Sequence, residues 1–319
     1  MMLEPFHAHE PHQAPDDDFL DAVLHGLSLP KKSIPSRFLY DARGSDLFER
    51  ITRVPEYYPT RTEIGLLTAR AAEIGAALPS GAVVVEFGSG SSRKTELLLA
   101  ALDRPCAYVP IDISAAALYP AARRIEQGFP DVGVYPVLGG FHDLARMRLP
   151  LGDSPLIGFF PGSTIGNFAR QEAVDFLLSA RRLLGPGAAF LLGADLQKPL
   201  NILLPAYNDA DGVTAAFNIN LLARINRDLE GTFDLDAFEH AAIYNERYHR
   251  IEMHLRSLAR QSASVAGRSF FFAAGETIHT ENSHKYTPER FGRLAQDGGW
   301  EVSRAFYDEN RLFSVNLLA

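Results

Sequence analysis

Residues 83–99 read VVVEFGSGSSRKTELLL: a β-branched run, a turn with glycines at 88 and 90, then helix-forming residues. An apolar run this short, stopped by glycine, fits a buried strand, and the segment after it fits a helix. Outward from this unit the alternation repeats. Ala82 to Phe87, Ala107 to Ile113, Val132 to Leu138, Leu156 to Phe160 and Ala188 to Ala194 are candidate strands. Between them lie helical stretches at Ser92 to Leu102, Ala115 to Gln127 and Gln171 to Leu184, with a short irregular stretch near Phe141 to Arg148. Five such units predict an α/β fold with a mostly parallel sheet covered on both faces. From Asp195 to about Glu281 the rhythm changes to long amphipathic helices, as in FNINLLARINRDL (217–229) and IEMHLRSLARQ (251–261). A helix at Thr287 to Gln296 follows, then two strands, Trp300 to Tyr307 and Leu312 to Leu317, whose turn at Asp308-Glu309-Asn310 suits an antiparallel pair. Residues 20 to 80 are also helical in pattern, interrupted by Pro35, Pro55 and Pro59.

Glu86, Gly88 and Gly90 occupy the first strand-to-helix turn, where glycines admit a ligand to the backbone and the helix start offers free N–H groups. A nucleotide-type ligand is expected. A dinucleotide fingerprint would repeat Gly or Ala three residues after Gly90, but Arg93 stands there, against a nicotinamide-dependent oxidoreductase. Asp112 ends the second candidate strand, where a carboxylate can accept both ribose hydroxyls or cap the helix beginning near Ser114. Lys94, one turn into the first helix, either reaches an anionic group of the ligand or is a solvated surface lysine.

Composition narrows the partners. In 319 residues, 46% apolar, 31 Lys and Arg stand against 39 Asp and Glu, a formal charge of −8 that repels nucleic acid and anionic membranes. One cysteine, Cys106, in a run that reads as a buried strand, excludes a disulfide framework and a cysteine zinc cluster. The first 19 residues carry His7, His9 and His12 but no basic start or apolar core, and read as a disordered tail without a secretory signal or metal role. No apolar run approaches the ~20 residues needed to cross a bilayer. A cytoplasmic location follows. His240, His249, His254, His279 and His284 fall at spacings that form no helical ligand pair with a carboxylate, so no metal is expected.

The stretches FLYDARGSDLFERITRVPEYYPTRTE (38–63), EFGSGSSRKT (86–95), PIDIS (110–114), FFPGSTIGNF (159–168), GADLQKP (193–199), AYNDADGVTAAFNINLLARIN (206–226), IEMHL (251–255) and GETIHTENSHKY (275–286) together carry a resemblance. From about Pro30 to its end the chain resembles the histidine N-α-methyltransferases of ergothioneine biosynthesis, and the acidic strand end with two glycines resembles motif I of class I methyltransferases. The resemblance implies a Rossmann-like class I methyltransferase sheet, antiparallel at its last strand, with a second, mainly helical substrate-binding domain. It divides the chain into a cofactor domain at 63–195 and 287–319 and a substrate domain at 20–62 and 196–286. It implies S-adenosylmethionine as methyl donor, no metal, L-histidine as substrate and a monomer. Tyr57, Gly162, Asn167 and Tyr207 are implied around the amine and carboxylate, and Met253, Glu281 and Ser283 around the imidazole. For the cofactor it implies Tyr40, Gly88, Lys94, Asp112 and the Gly140-Phe141 loop, and for catalysis Tyr40, Asn167 and Tyr207. The family usually has Asp before that Phe; Gly140 here leaves Asp143 or a backbone carbonyl to meet the adenine amino group.

The residues suit this chemistry in their own right. Asn167 follows the fourth candidate strand, at the edge where open α/β sheets bind ligands, and its amide can serve a carboxylate and an ammonium or cap the helix near Arg170. Glu281 can accept from a ring N–H, with Ser283 serving the other nitrogen, or be a solvated loop carboxylate. Met253, on a segment read as an amphipathic helix, also fits a core position, and Tyr57 and Tyr58 fit packing roles. Two further readings keep the fold but change the activity: methylation of another aromatic amino acid such as tryptophan, and a module that only holds S-adenosylmethionine.

Overall fold

The computed structural model describes residues 15–90, 92–141, 144, 147 and 154–319. The chain opens with helix α1 (Pro15–Ser28), a 3-10 turn (Ser36–Leu39), α2 (Ala42–Ile51), α3 (Tyr58–Ala69) and α4 (Ala71–Ala76). There follow β1 (Val83–Phe87), α5 (Arg93–Ala101), β2 (Ala107–Asp112), α6 (Ala115–Gly128), β3 (Gly133–Val134) and β4 (Val137–Leu138). Next come β5 (Leu156–Phe160), α7 (Arg170–Leu184), β6 (Ala189–Asp195), α8 (Leu200–Ala206) and α9 (Val213–Asp228). Strands β7 (Phe238–Asn245), β8 (Arg250–Ser257), β9 (Gln261–Val265), β10 (Arg268–Phe272) and β11 (Thr277–His284) precede α10 (Pro288–Asp297), β12 (Val302–Tyr307) and β13 (Phe313–Leu318). These elements form two compact units, one of Pro59–Gln197 with Lys285–Ala319, the other of the described residues up to Tyr58 with Lys198–His284.

The first unit is built on a sheet of order β12-β13-β6-β5-β1-β2-β3, with β4 also paired to β2. Strands β1, β2, β5 and β6 are parallel, whereas β13 runs antiparallel to β6 and β12. Because side chains alternate along a strand, Val83, Val85 and Phe87 enter one core cluster, with Phe160, Phe176 and Phe190. Val84 enters the other, with Leu98, Tyr108 and Phe159. Covered on both faces, β1 is buried at every position, apolar at all but Glu86. On α7, Ala173, Phe176, Leu177, Ala180 and Leu184 form one buried stripe, and the Trp300 indole donates to the Leu177 carbonyl at 3.0 Å.

Two expectations change here. The single strand at Val132 to Leu138 is two short pairings, interrupted at Tyr135-Pro136 because proline has no N–H for the ladder. Cys106 is exposed, not buried, since β2 begins only at Ala107.

The second unit departs further from its expected helical character. Strands β11-β8-β7 form an antiparallel sheet, and β9-β10 a hairpin, in a stretch read as helix. IEMHLRSLARQ is the informative error: Ile251, Met253 and Leu255 are buried at a spacing of two, so Met253 is a strand residue. Leu258, which lent the segment a helical phase, is exposed beyond the strand. Helix α9 forms over the other quoted run, capped by Asp209, whose carboxylate accepts from the Val213 and Thr214 N–H groups at 2.7 and 2.8 Å. The expected disordered tail is not found at residues 15–19, for α1 starts at Pro15 and buries Phe19 against Phe38 with ring centroids 4.7 Å apart. His7, His9, His12 and Asp143 lie outside the described residues.

Trp300 joins α7 to the sheet by packing and by its indole hydrogen bond, so Trp300→Ala should cost about 3–5 kcal/mol. Thermal unfolding followed by circular dichroism checks this, and an unchanged midpoint would show that Trp300 does not anchor α7.

Candidate functional site

In the first unit the predicted cofactor residues follow the carboxyl ends of adjacent strands, and β1 is where the strand order reverses, with β2 on one side and β5 on the other. The loop after β1 turns through left-handed backbone at Gly88 (φ +72°), Gly90 (φ +46°) and Ser92 (φ +51°). The Gly90 N–H donates to Asp112 at 2.9 Å, while the other Asp112 oxygen accepts from the Ser114 N–H at 2.8 Å. Asp112 thus ties the glycine loop to the turn that leads into α6, without bonding the helix's own first N–H groups. Burial pushes its carboxyl up, opposed by the N–H groups of Gly90, Ser114 and Ile113. Phe141 packs against Phe160, Phe168 and Phe176, and a Cβ at Gly88 would stand 3.3 Å from its ring. Gly140 lies at this same loop, after the Gly139 N–H donates to the Asp112 carbonyl at 3.0 Å.

Beneath the loop, Glu86 is fully buried, accepting from Thr95 Oγ1 at 2.6 Å and from the Tyr108 hydroxyl, which in turn meets Ser92 Oγ at 2.9 Å. Burial raises its pKa to about 8 despite these donors, so the carboxyl is mostly protonated at neutral pH. Ser89 is buried, and its hydroxyl has no hydrogen-bond partner among the described residues. The loop therefore offers a ligand a buried hydroxyl, backbone free of side chains at Gly88 and Gly90, and a partly buried carboxylate at Asp112. That donor set fits a nucleoside carrying an amino-acid group, and S-adenosylmethionine is such a molecule.

The turn after β5 is strained: Gly162 (φ +81°) and Ser163 (φ +57°) are consecutive left-handed residues. Ser163 Oγ accepts from the Asp195 N–H at 2.9 Å, and a 3-10 turn, Thr164–Asn167, presents Asn167 half-buried. Asn167 does not cap α7; the Glu172 side chain accepts from the Ala169 N–H instead. The Gly162 N–H donates to Glu63 at 2.8 Å, and Lys94 Nζ lies 2.5 Å from the same carboxylate. Lys94 is thus half of a largely buried ion pair, not a solvated lysine. Glu63 was not anticipated, although its signal existed: on α3 it shares the buried stripe of Pro59, Leu66 and Leu67, an unusual position for an acid.

In the second unit the pairings Glu281↔Met253 and Ser283↔Ile251 set the buried Met253, Glu281 and Ser283 side by side across β8 and β11. Ser283 Oγ meets the Tyr207 hydroxyl at 2.7 Å, and the Tyr207 and Tyr57 rings are 6.1 Å apart, edge to face. Tyr40 packs edge to face on Phe48 and Phe217 at 5.5 and 5.4 Å. Tyr57, Tyr207, Met253, Glu281 and Ser283 are therefore brought together, with Tyr40 reached through Phe48, which lies 6.3 Å from Tyr57. Among the described residues no group of histidine, cysteine and carboxylate side chains has the arrangement of a metal site.

The sequence profile of a family described as histidine-specific, S-adenosylmethionine-dependent methyltransferases matches residues 19–319. Histidine N-α-methyltransferase of Mycolicibacterium smegmatis is 45% identical, over 92% of this chain and 92% of that protein. The protein of that name from Mycobacterium tuberculosis is 41% identical, over 93% of each chain. Ergothioneine biosynthesis protein 1 of Neurospora crassa is 32% identical over 90% of this chain, which spans 33% of that longer protein.

Glu86 gives this region a pH signature. Its folded pKa of about 8 lies above the ordinary 4.5, so the folded state keeps a proton that the unfolded chain releases. Stability linked to this group is therefore present at acid pH and lost as pH rises through that window. Glu86→Gln should become progressively more stable relative to the parent protein as pH rises from 4.5 to 8, read as the difference in unfolding midpoints. Parallel curves for the two proteins would mean that Glu86 is ionised when folded.

Proposed function

We infer the reaction from family membership: this chain belongs to the histidine-specific, S-adenosylmethionine-dependent methyltransferases. It is an enzyme that methylates the α-amine of L-histidine, and we read the full reaction as three successive transfers giving hercynine, the first step of ergothioneine biosynthesis. The observation that carries the substrate is Glu281, a carboxylate only 8% exposed and paired in register with Met253. A buried acceptor in an apolar wall selects a ring that carries an N–H and disfavours one that lacks it.

Residues 63–195 and 287–319 serve the cofactor in this reading, and 20–62 and 196–286 the amino acid. When bound, S-adenosylmethionine supplies a methyl carbon already activated on a sulfonium. Gly88, Asp112, Gly140, Phe141 and the Lys94–Glu63 pair hold it, together with Tyr40. Asn167 and Gly162, with Tyr57 and Tyr207, hold the amine and carboxylate, and Met253, Glu281 and Ser283 hold the ring. Positioning is the main task, since fixing the attacking lone pair against its target can contribute ~7–11 kcal/mol, more than a general base.

The amine must nonetheless attack without its proton, and an α-amine with pKa of about 8 is mostly protonated at neutral pH. Tyr40, Tyr207 or a water held by them directs the neutral amine, while Asn167 orients it. The Tyr207 hydroxyl, linked to Ser283, joins the amine end of the pocket to its ring end. As methyls accumulate the substrate becomes a fixed cation, which the face of Tyr57 tolerates. We place the enzyme in the cytoplasm as a monomer without nucleic-acid partners, the last of these supported by its charge of −8. No helix of the described residues is long and apolar enough to cross a membrane.

Incubation with S-adenosylmethionine and L-histidine, followed by mass spectrometry, should end at the trimethylated product, and accumulation of a monomethyl product would refute the three-transfer reading. Asn167→Ala should lower kcat/KM by about tenfold or more, the equivalent of about 1.4 kcal/mol of lost transition-state contact. Glu281→Ala should raise KM for histidine by a comparable factor, about tenfold, and unchanged kinetics would remove Glu281 from the pocket.

A further inference from the structure

Tyr207 stands on the link between the seven-residue helix α8 and helix α9, a short segment that must nevertheless hold a phenol in a fixed place. At a helix end the last carbonyls need donors from elsewhere. For the Tyr207 carbonyl that donor is His240, whose Nε2 lies 2.8 Å away. The other ring nitrogen, Nδ1, is 3.0 Å from Asn218 Nδ2. Asn218 is fully buried on α9 and its orientation is fixed by its other partners. Its Nδ2 also donates to the His254 carbonyl at 3.0 Å, while its Oδ1 accepts from Thr280 Oγ1 at 2.7 Å. A carbonyl can only accept, so the amide must present N–H to His240 Nδ1, which then carries a lone pair. The proton of a neutral ring belongs on Nε2, where it is donated to Tyr207.

The register sets His240 opposite Leu255, on the same face of the sheet as Ala242, which is opposite Met253. His240 therefore stands on the sheet face that carries Met253, and its ring bonds the backbone of Tyr207. Burial lowers the basicity of His240, and the nearby His254 lowers it further, against the Asp209 carboxylate on the α8–α9 link and the Tyr207 carbonyl, which both raise it. Protonation at Nδ1 would set two donors against each other at Asn218.

We propose that His240 is a positioning residue for the amino-acid pocket, binding as its neutral Nε2–H tautomer to the Tyr207 carbonyl and so fixing the phenol that meets the substrate. The inference rests on the histidine-methylating reading, in which Tyr207 touches the amino acid. His240 itself makes no contact with the reacting atoms.

Two conservative variants separate this role from simple packing. In His240→Gln the longer amide can reach the Tyr207 carbonyl as Nε2 does, whereas in His240→Asn the shorter one reaches only Asn218. Full-length proteins preloaded with S-adenosylhomocysteine are titrated with L-histidine, and S-adenosylhomocysteine affinity is measured alongside as the check on folding. His240→Asn should bind histidine about tenfold or more weakly and His240→Gln within about threefold of the parent, the loss expected for one displaced pocket hydrogen bond. Affinity of the Asn variant within about twofold of the parent, or equal weakness of both variants with cofactor binding intact, would overturn the proposal. Loss of cofactor affinity in the Asn variant alone would assign His240 to folding and overturn it as well. Tyr207→Phe guards the underlying reading: if this variant and the parent bind histidine alike, or the parent binds none, the pocket assignment fails rather than the role of His240.

Discussion

Strand β1 lies in the middle of an eight-stranded sheet with both faces covered, and this constraint shapes what the first unit can offer to a ligand. Polar groups are costly inside such a sheet, so they gather where the chain leaves it. There the glycine loop, Asp112, Phe141 and the strained Gly162-Ser163 turn form a row at the carboxyl edge. Among the exceptions inside the sheet is Glu86, whose carboxyl burial pushes up to about 8 beside its donors Thr95 and Tyr108. Glu63 extends the same economy, since one buried carboxylate receives both the Gly162 N–H and the Lys94 ammonium.

The second unit solves a different problem. The residues proposed for its pocket come from a loop before α2, from the residue preceding α3, from a helix link and from two antiparallel strands. Register does much of the assembly: Met253, Glu281 and Ser283 converge only because β8 and β11 pair as they do, across a bulge between His279 and Glu281. Tyr207 is then bound at both ends, by Ser283 at its hydroxyl and by His240 at its carbonyl. The histidine ring is well suited to the second task because it donates and accepts on opposite edges.

Much of the first unit was legible in the sequence, because parallel strands buried on both faces are short apolar runs and the glycines of 88–90 mark the turn directly. The edge pairing was less legible, as a proline at 136 breaks the ladder without breaking the apolar run. In the second unit the alternation of Ile251, Met253 and Leu255 was present, but charged residues between them and Leu258 beyond suggested a helical phase. The buried position of Glu63 was legible in its helical stripe, but the roles of Glu63 and His240 were not. Their roles depend on backbone groups of Gly162 and Tyr207, which no side-chain motif announces. Glu63 ends the quoted stretch 38–63, yet the family likeness implied no role for it, and His240 lies in none of the quoted stretches.

The central claim is that this pocket recognises the imidazole of histidine through a buried acceptor. Isothermal titration of the protein preloaded with S-adenosylhomocysteine, with L-histidine and L-tryptophan in parallel, tests it most directly. The account predicts saturable histidine binding and no binding of tryptophan at the same concentration. Equal or stronger binding of tryptophan would contradict it, leaving the cofactor site in place and the pocket assigned to another aromatic amino acid.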